Sequence, residues 1–342
     1  FAAKMNMVSL DAIRTPIASD IEAFEEFVRN RFDSDGKLMS EMLSHALSSR
    51  GKGVRPIIVM LTSALTSAAN KRQWVASERN CTMRTYLAAM MVERLHTASL
   101  IHDDVIDGAD MRRGRPSVNA LWQSRNAVVL GDYILARTMS TGMASAQYDL
   151  VSHIIGSVAT LCEGEVLQSQ HARDKDTTRR DYLEIIYKKT ASLISISASA
   201  GAVSVIAPHE DIERMRRFGE ALGMAFQIKD DILDYSRSNR TGKPANNDLR
   251  EGKITLPLIE VLERCEPAEK LRLMDSLSRC GEDPAAVDYI HSAVEDAGGI
   301  EMAERAMRTY IDRAVEILSH YDESPYRTAL VNLCAYVAER DR

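Results

Sequence analysis

An all-α fold follows from three features of the 342-residue sequence. Helix formers such as Ala, Leu, Met and Glu are plentiful, while only 17 Gly and 9 Pro occur and aromatics reach just 6%. Apolar residues recur at helical spacing along most of the chain. No run alternates apolar and polar residues as a half-buried strand would, and no short-period repeat or low-complexity tract is present. Hydrophobic residues make up 45% of the chain, enough for one large core. Residues 1–342 are therefore expected to form a single-domain helical bundle.

The elements can be placed in order. In 18–32, Ile21, Phe24, Phe27, Val28 and Phe32 fall near helical spacing, with Asp20 positioned to cap. Residues 83–107 form a longer apolar helix carrying Tyr86, Leu87, Met90, Met91, Leu95, Ala98, Leu100 and Ile101. Further helices are expected over 126–145, 147–171, 179–205, 209–235, 254–264, 267–278, 284–297, 299–320 and 325–340. The breaks at 50–53, 108–116, 207–208 and 280–284 are short. The one long polar break, 236–252, reads as a loop rather than a domain linker.

Charge and cysteine usage narrow the function classes. A net charge of −6 argues against a general nucleic-acid binder, which carries a basic excess. Cys81, Cys162, Cys265, Cys280 and Cys334 are scattered, odd in number and without a C-x-x-C pair, which speaks for reduced core thiols rather than a disulfide framework or zinc site. No apolar run of membrane-spanning length and no signal pattern over 1–10 are visible. A cytoplasmic protein without a membrane anchor is the expectation.

Two segments echo each other: Leu100-Ile-His-Asp103-Asp104-Val-Ile-Asp107 and Gln227-Ile-Lys-Asp230-Asp231-Ile-Leu-Asp234. Each places D-D-x-x-D after an apolar helical stretch. The first and last Asp stand at i and i+4, on one helix face. The middle Asp lies about 100° round the helix from the first. Like charges at this spacing destabilise a helix, and a sequence that incurs the cost twice points to a compensating cation. Carboxylate oxygens suit hard divalent ions. Magnesium takes one or two carboxylates, keeps several waters and completes its shell with substrate phosphates. A solitary acidic triplet is most often a solvated helix end, but two copies behind apolar helix are not.

Cations surround these segments. Arg112 and Arg113 follow the first, Lys52 and Arg55 share a turn, Lys188, Lys189 and Thr190 form a third group, and Lys243 and Lys253 lie in the late polar stretch. Singly each reads as a surface charge. Grouped at the ends of apolar helices they suit diphosphate, with Arg as forks and Lys as point charges.

From about Gly51 to Pro257 the chain resembles the trans (E-type) polyprenyl diphosphate synthases, of the long-chain octaprenyl, heptaprenyl and solanesyl type. The resemblance is carried by Gly51-Lys-Gly-Val-Arg-Pro56, Glu93-Arg-Leu-His96 continuing through Asp107, Arg112-Arg-Gly114, Gly164-Glu-Val-Leu-Gln168, Lys189-Thr-Ala191, Phe226-Gln-Ile-Lys-Asp-Asp-Ile-Leu-Asp234 and Gly252-Lys-Ile-Thr-Leu-Pro257. One departure is Asn246, where related sequences often have Gly; it alters the loop but removes no ligand.

The resemblance implies a helical bundle of the isoprenoid synthase type with a central apolar cavity. It implies a prenyltransferase that condenses isopentenyl diphosphate with an allylic diphosphate, farnesyl or geranylgeranyl, for quinone side chains. Asp103, Asp104 and Asp107 would hold magnesium on the allylic diphosphate with Asp230, Asp231 and Asp234 opposite, three ions per site. Arg112 would bind that diphosphate. Lys52, Arg55, His96 and Arg113 would bind isopentenyl diphosphate, with Lys253 a further substrate contact. Lys189, Thr190, Gln227 and Lys243 would line the reacting centre. The 236–252 loop would close over it and exclude water. The family is usually homodimeric.

Product length is read from Ala98 and Ser99. Ala98 lies about 7.5 Å down the helix from Asp103, where similar short-chain enzymes commonly carry an aromatic ring. Two small residues leave no early stop, so a long product is expected, with a shorter geranylgeranyl or farnesyl product as the alternative. The competing explanation is that small residues simply let the helices pack closely. Three rivals are weaker. A di-metal carboxylate bundle would use Glu93-x-x-His96 but needs a second such element. A terpene cyclase usually has an Asn/Asp-Ser/Thr-Glu second motif. A non-catalytic synthase subunit commonly lacks Asp residues or site cations that are present here.

Overall fold

The structure, a computed structural model, describes residues 9–29, 34–48, 51–70, 81–235 and 246–340. The described chain is almost entirely helical. The first helices are α1 (Leu10–Arg14), α2 (Ala18–Val28), α3 (Lys37–Ser48), α4 (Val54–Ala69) and α5 (Met83–Ile106). Then come α6 (Val118–Ala144), α7 (Tyr148–Asp174), α8 (Arg179–Ile186), α9 (Ser192–Ser204) and α10 (His209–Asp234). The remainder are α11 (Asn247–Arg250), α12 (Leu256–Leu262), α13 (Pro267–Arg279), α14 (Pro284–Asp296), α15 (Gly299–Leu318) and α16 (Pro325–Glu339).

Helices α3 and α4 are not among the helices expected from the sequence, although α3 repeats apolar residues at helical spacing, Leu38, Met39, Met42, Leu43, Ala46 and Leu47. In α4 every residue from Pro56 to Ser67 is buried, so there is no polar face to alternate with an apolar one. It packs against α5 and α9, and α9 in turn packs on α10. These helices carry both aspartate segments. One buried cluster joins α4 and α9 to α10 and the C-terminal helices. A second joins α5 to α6 and α7.

The ends of α5 are tightly specified. Thr82 and Thr85 form a reciprocal capping box at its start. At its end Gly108 takes φ 60°, its N–H donates to the Val105 carbonyl, and the Ala109 N–H donates to the Asp104 carbonyl at 2.8 Å. This Schellman closure stops the helix directly after the aspartates. The chain then forms a hairpin, β1 (Met111–Arg112) and β2 (Arg115–Pro116), in what the sequence offered only as a break. Its turn residues Arg113 and Gly114 take φ 52° and 74°. Positive φ at both marks a type I′ turn, whose twist matches that of the flanking strands.

Two further differences bear on the site. The helix expected over 179–205 is interrupted by a π turn at Tyr187–Ala191, which re-aims Lys189 and Thr190. α7 is long and apolar enough by length and composition to cross a bilayer, with 28% of its apolar window buried. This corrects the expectation that no such stretch exists: two acidic residues and several small polar ones hide the run from a search for unbroken apolar sequence. Ser236 to Ala245 of the expected closing loop lie outside the described residues.

Candidate active site

Helix geometry sorts each aspartate triplet into two kinds of carboxylate. Asp103 and Asp107 share a face at the open end of α5. Asp104 turns inward, is 3% exposed, and accepts a 2.8 Å hydrogen bond from Nε of Arg112, whose Nη2 also donates to it. The second triplet repeats the arrangement. Asp231 is 4% exposed and accepts from the Tyr182 hydroxyl at 2.6 Å and from Gln227 Nε2 at 2.8 Å. Gln227 Oε1 accepts from Thr190 Oγ1 at 2.7 Å. Both middle aspartates are thus fixed by the protein itself, and their outer neighbours are presented at the surface of each helix.

Asp230 is half-exposed and holds Nη2 of Arg340 at 2.7 Å. Arg340 is nearly buried, with its guanidinium 3.9 Å from the centre of the Phe226 ring. Asp234 has a different role: its carboxylate accepts the N–H groups of Asn247 and Asp248, each at 3.1 Å, at the start of α11.

The electrostatic neighbours show that the two triplets share one space. A cavity of about 400 Å³ is lined by Asp230, Asp231, Asp234, Asp248, Gln168, Lys189, Thr190, Gln227 and Lys253, among others. Asp103 is pushed up to about 6 by burial and by Glu165 and Asp107, against the lowering pull of Lys189 and Arg112. Asp231 lies well above the usual carboxylate range, through burial first and the charge of Asp248 next. Burial opposes the charge of Lys253, but the Glu251 hydrogen bond and the fields of Asp248, Glu251 and Asp107 hold its pKa above the ordinary value. Lys253 therefore feels the first triplet through Asp107 and lines the cavity that holds the second. Lys189 Nζ stands 2.8 Å from Gln168 Oε1 and 3.0 Å from Glu165. A Cβ on Gly164 would lie 2.7 Å from the Lys189 backbone nitrogen, so only glycine lets α7 approach the π turn so closely.

A second set gathers on the other side of α5. Burial lowers Arg55 to about 10, with Glu93 opposing and Arg113 and Asp230 as further neighbours. Its Nε is buried without a hydrogen-bond partner. His96 is driven well below its usual value by burial and by Arg55, Arg113 and Arg112, so it is neutral at neutral pH. Glu93 is raised by burial, with Arg55 and Arg113 opposing. Arg113 reaches this group by passing Gly51, where an added Cβ would lie 2.5 Å from its guanidinium. Lys52 is exposed, with Nζ 5.4 Å from the centre of the Tyr336 ring. The surroundings of Glu93 and His96 are cationic, which removes the di-metal carboxylate rival. A larger cavity of about 540 Å³ borders this set and runs beneath α2 and α3, past Phe24, Val28, Ile57 and Met60.

The structure thus brings together Asp103, Asp107, Asp230, Asp231, Asp234, Lys189, Thr190, Gln227 and Lys253 at one space, and Arg55, His96 and Arg113 at the next, with Arg112 between them through Asp104. Lys243 lies outside the described residues. Ala98 is fully buried in the α5–α6–α7 cluster and Ser99 is half-buried, its hydroxyl on the His96 carbonyl at 2.9 Å. Neither lines the two cavities described. Sequence reasoning assigned no role to Tyr182, Asp248, Glu165 or Arg340. Glu165 and Gln168 had a signal, an i, i+3 pair one helix face wide. Arg340 had none, being 110 residues from its partner Asp230.

No three Asp, Glu, His or Cys side chains converge as a closed metal cage among the described residues. The outward carboxylates of the two triplets, with Asp103 raised by burial and its acidic neighbours, fit an ion that takes few protein ligands and fills its shell from phosphate and water.

Comparison with known proteins agrees with this geometry. Residues 36–294 match the family described as polyprenyl synthetase. An all-trans-nonaprenyl-diphosphate synthase (geranyl-diphosphate specific) of Rhodobacter capsulatus is 34% identical over 96% of this chain and 97% of its own length. Heptaprenyl diphosphate synthase component 2 of Geobacillus stearothermophilus is 33% identical over 98% of this chain and 100% of its own. The crystal structure of a polyprenyl synthase from Caulobacter crescentus CB15, complexed with calcium and isoprenyl diphosphate, superposes with a TM-score of 0.87 at 28% identity, covering 98% of this chain and 99% of that one. The chain belongs to the polyprenyl synthetase family.

Proposed function

We propose that this protein joins isopentenyl diphosphate to an allylic diphosphate and repeats the step to give a long all-trans polyprenyl diphosphate. The observation that carries the reading is the pair of aspartate triplets, each with its middle Asp locked inward, gathered around Lys189 and Lys253: both lysines line the cavity of the second triplet, and their charges act with Asp103 and Asp107 of the first. Asp103, Asp107 and Asp230 would hold magnesium, three ions per site being the number the family resemblance suggests. Bound there, magnesium would supply Lewis acidity toward the departing diphosphate.

The chain's own groups do the rest. Arg112 and Lys189 bring positive charge to the allylic diphosphate as its C–O bond breaks, and stabilise the charge that develops on it. Arg55, Arg113 and Lys52 receive the diphosphate of the homoallylic partner, and neutral His96 can donate a ring N–H to it. Thr190 and Gln227 form a fixed chain of dipoles beside the reacting carbons. No side-chain nucleophile is required. Ala98 and Ser99 leave the α5 face without a bulky ring, in keeping with the nonaprenyl and heptaprenyl products named for the two relatives.

A second copy of this chain is the partner we propose for the exposed apolar residues of α6, where Val128, Met139 and Met143 recur at helical spacing beyond the kink at Gln123. Sedimentation of the purified protein tests this, a monomer at micromolar concentration counting against it. The activity is tested by incubating labelled isopentenyl diphosphate with geranyl, farnesyl or geranylgeranyl diphosphate and magnesium. Chromatography of the dephosphorylated product reads its length. Absence of any chain growth with all three primers would overturn the reading.

A further inference from the structure

Asn246 stands in the left-handed region, at φ 59° and ψ 37°, immediately before α11. Few side chains tolerate this backbone, and Asn is among those that do. It is the position where related sequences often have Gly, so the backbone requirement is the same and the side chain is an addition. That side chain is buried, with 7% of the residue exposed. Its Oδ1 accepts a 3.0 Å hydrogen bond from Nδ1 of His291, which fixes the proton on that ring nitrogen. His291 comes from α14, is 3% exposed, and lies nearly parallel to the Tyr235 ring at 6.1 Å and 19°.

Its contacts with Asn246 and Tyr235 flank the second aspartate triplet, while its Nε2 lies 3.8 Å from Glu295 on its own helix. Tyr235 is the residue after Asp234. The Asn246 backbone N–H donates to the Asp234 carbonyl at 2.8 Å. The next two N–H groups, of Asn247 and Asp248, hold the Asp234 carboxylate. Asp248 in turn raises Asp231 by its charge. One imidazole, stacked on one side of the turn and hydrogen-bonded to the other, therefore sets how α11 meets the end of α10.

We propose that His291 is a positioning residue for the second aspartate triplet: it clasps Tyr235 and Asn246 so that Asp234 and Asp248 are held in place before any ion or diphosphate arrives. The inference rests on the preceding reading of that triplet as the place where diphosphate-bound magnesium is held.

Three variants separate the clasp from bulk packing. His291→Phe keeps a ring over Tyr235 and removes the donor. Asn246→Gly keeps the left-handed backbone and removes the acceptor. His291→Asn restores an amide N–H near the position of Nδ1. Amide hydrogen exchange across 246–252, in the absence of metal, should speed up roughly 3- to 10-fold in the first two variants and recover in part in the third, which regains the donor but not the ring over Tyr235. The magnesium concentration for half-maximal condensation should rise by a similar factor, while the KM for isopentenyl diphosphate stays unchanged. The double variant His291→Phe/Asn246→Gly should be no worse than either single one. If His291→Phe fails to fold, Asn246→Gly carries the same measurements. Unchanged exchange and unchanged magnesium requirement in a folded variant overturn the clasp. Absence of magnesium-dependent condensation by the unaltered protein would instead overturn the underlying reading, and the exchange rates would still judge the clasp.

Discussion

Arg112, on the hairpin that follows α5, donates its Nε to Oδ1 of Asp104 at 2.8 Å, and Asp104 is almost completely buried. The pair turns the middle carboxylate of the first triplet away from its neighbours and anchors the hairpin against the helix end. Asp103 and Asp104 are adjacent in sequence yet face opposite physical demands, one among the charges of Glu165, Lys189 and Asp107 and one inside an ion pair.

Substitution should separate those demands. Asp104→Ala leaves a guanidinium with no partner at a buried site and should cost about 2–3 kcal/mol, since breaking a buried pair is expensive and Arg112 retains partial access to water. Asp103→Ala should abolish turnover without loss of stability. Thermal melts and single-turnover assays on both variants check this; equal stability losses would refute it.

Asp103 also predicts a pH dependence of the metal-free protein. Its folded pKa of about 6 lies above the ordinary carboxylate value. Between roughly pH 4 and pH 6 the folded chain therefore binds more protons at this residue than the unfolded chain does, so its contribution to stability improves as pH falls through that window and is unfavourable at pH 7. Asp103→Asn should raise stability at pH 7 in chelator by about 1 kcal/mol, after allowing for solvent screening, with the gain vanishing near pH 4. Melts of both proteins across this range decide it.

Arg55 should matter unequally to the two substrates. Its guanidinium is desolvated beside Arg113 and His96, with one donor unused. Arg55→Gln should raise the KM for isopentenyl diphosphate by roughly tenfold or more and leave that for the allylic primer within about twofold. Equal losses would leave only a general anion patch.

Arg340 already stands on Asp230 as a resident cation. Arg340→Met removes it while keeping an unbranched stem over Phe226. Asp230 should then become easier to load with a divalent ion but less well held, so the metal concentration for half-maximal activity should fall while kcat also drops. Titration of activity with magnesium reads both; a variant indistinguishable from the unaltered protein would show the pair to be incidental.

Ala98 is the point where product length and packing meet. The residue is fully buried between α5, α6 and α7. Ala98→Phe should shorten the product distribution while the first condensation survives, and should cost about 1–3 kcal/mol through overpacking. A full-length product from a folded, active variant would leave Ala98 with a packing role alone.

The sequence by itself determined the helical class and the positions of both aspartate triplets, because a 3.6-residue period and a five-residue acidic pattern are local properties. The close approaches of Gly164 to Lys189 and of Gly51 to Arg113 join residues far apart in the chain and came from the fold. The sequence did not give α4, whose residues are buried on every side and so lack a period, nor the positive-φ hairpin that aims Arg113. Only the tertiary structure decided which aspartate of each triplet turns inward, since that depends on Arg112 and Tyr182 arriving from other elements. It alone placed Arg340 on Asp230 and His291 on Asn246, contacts that span 110 and 45 residues. Such pairings leave no periodic trace in the chain, because they are set by how packed helices bring distant residues together rather than by what each segment prefers on its own.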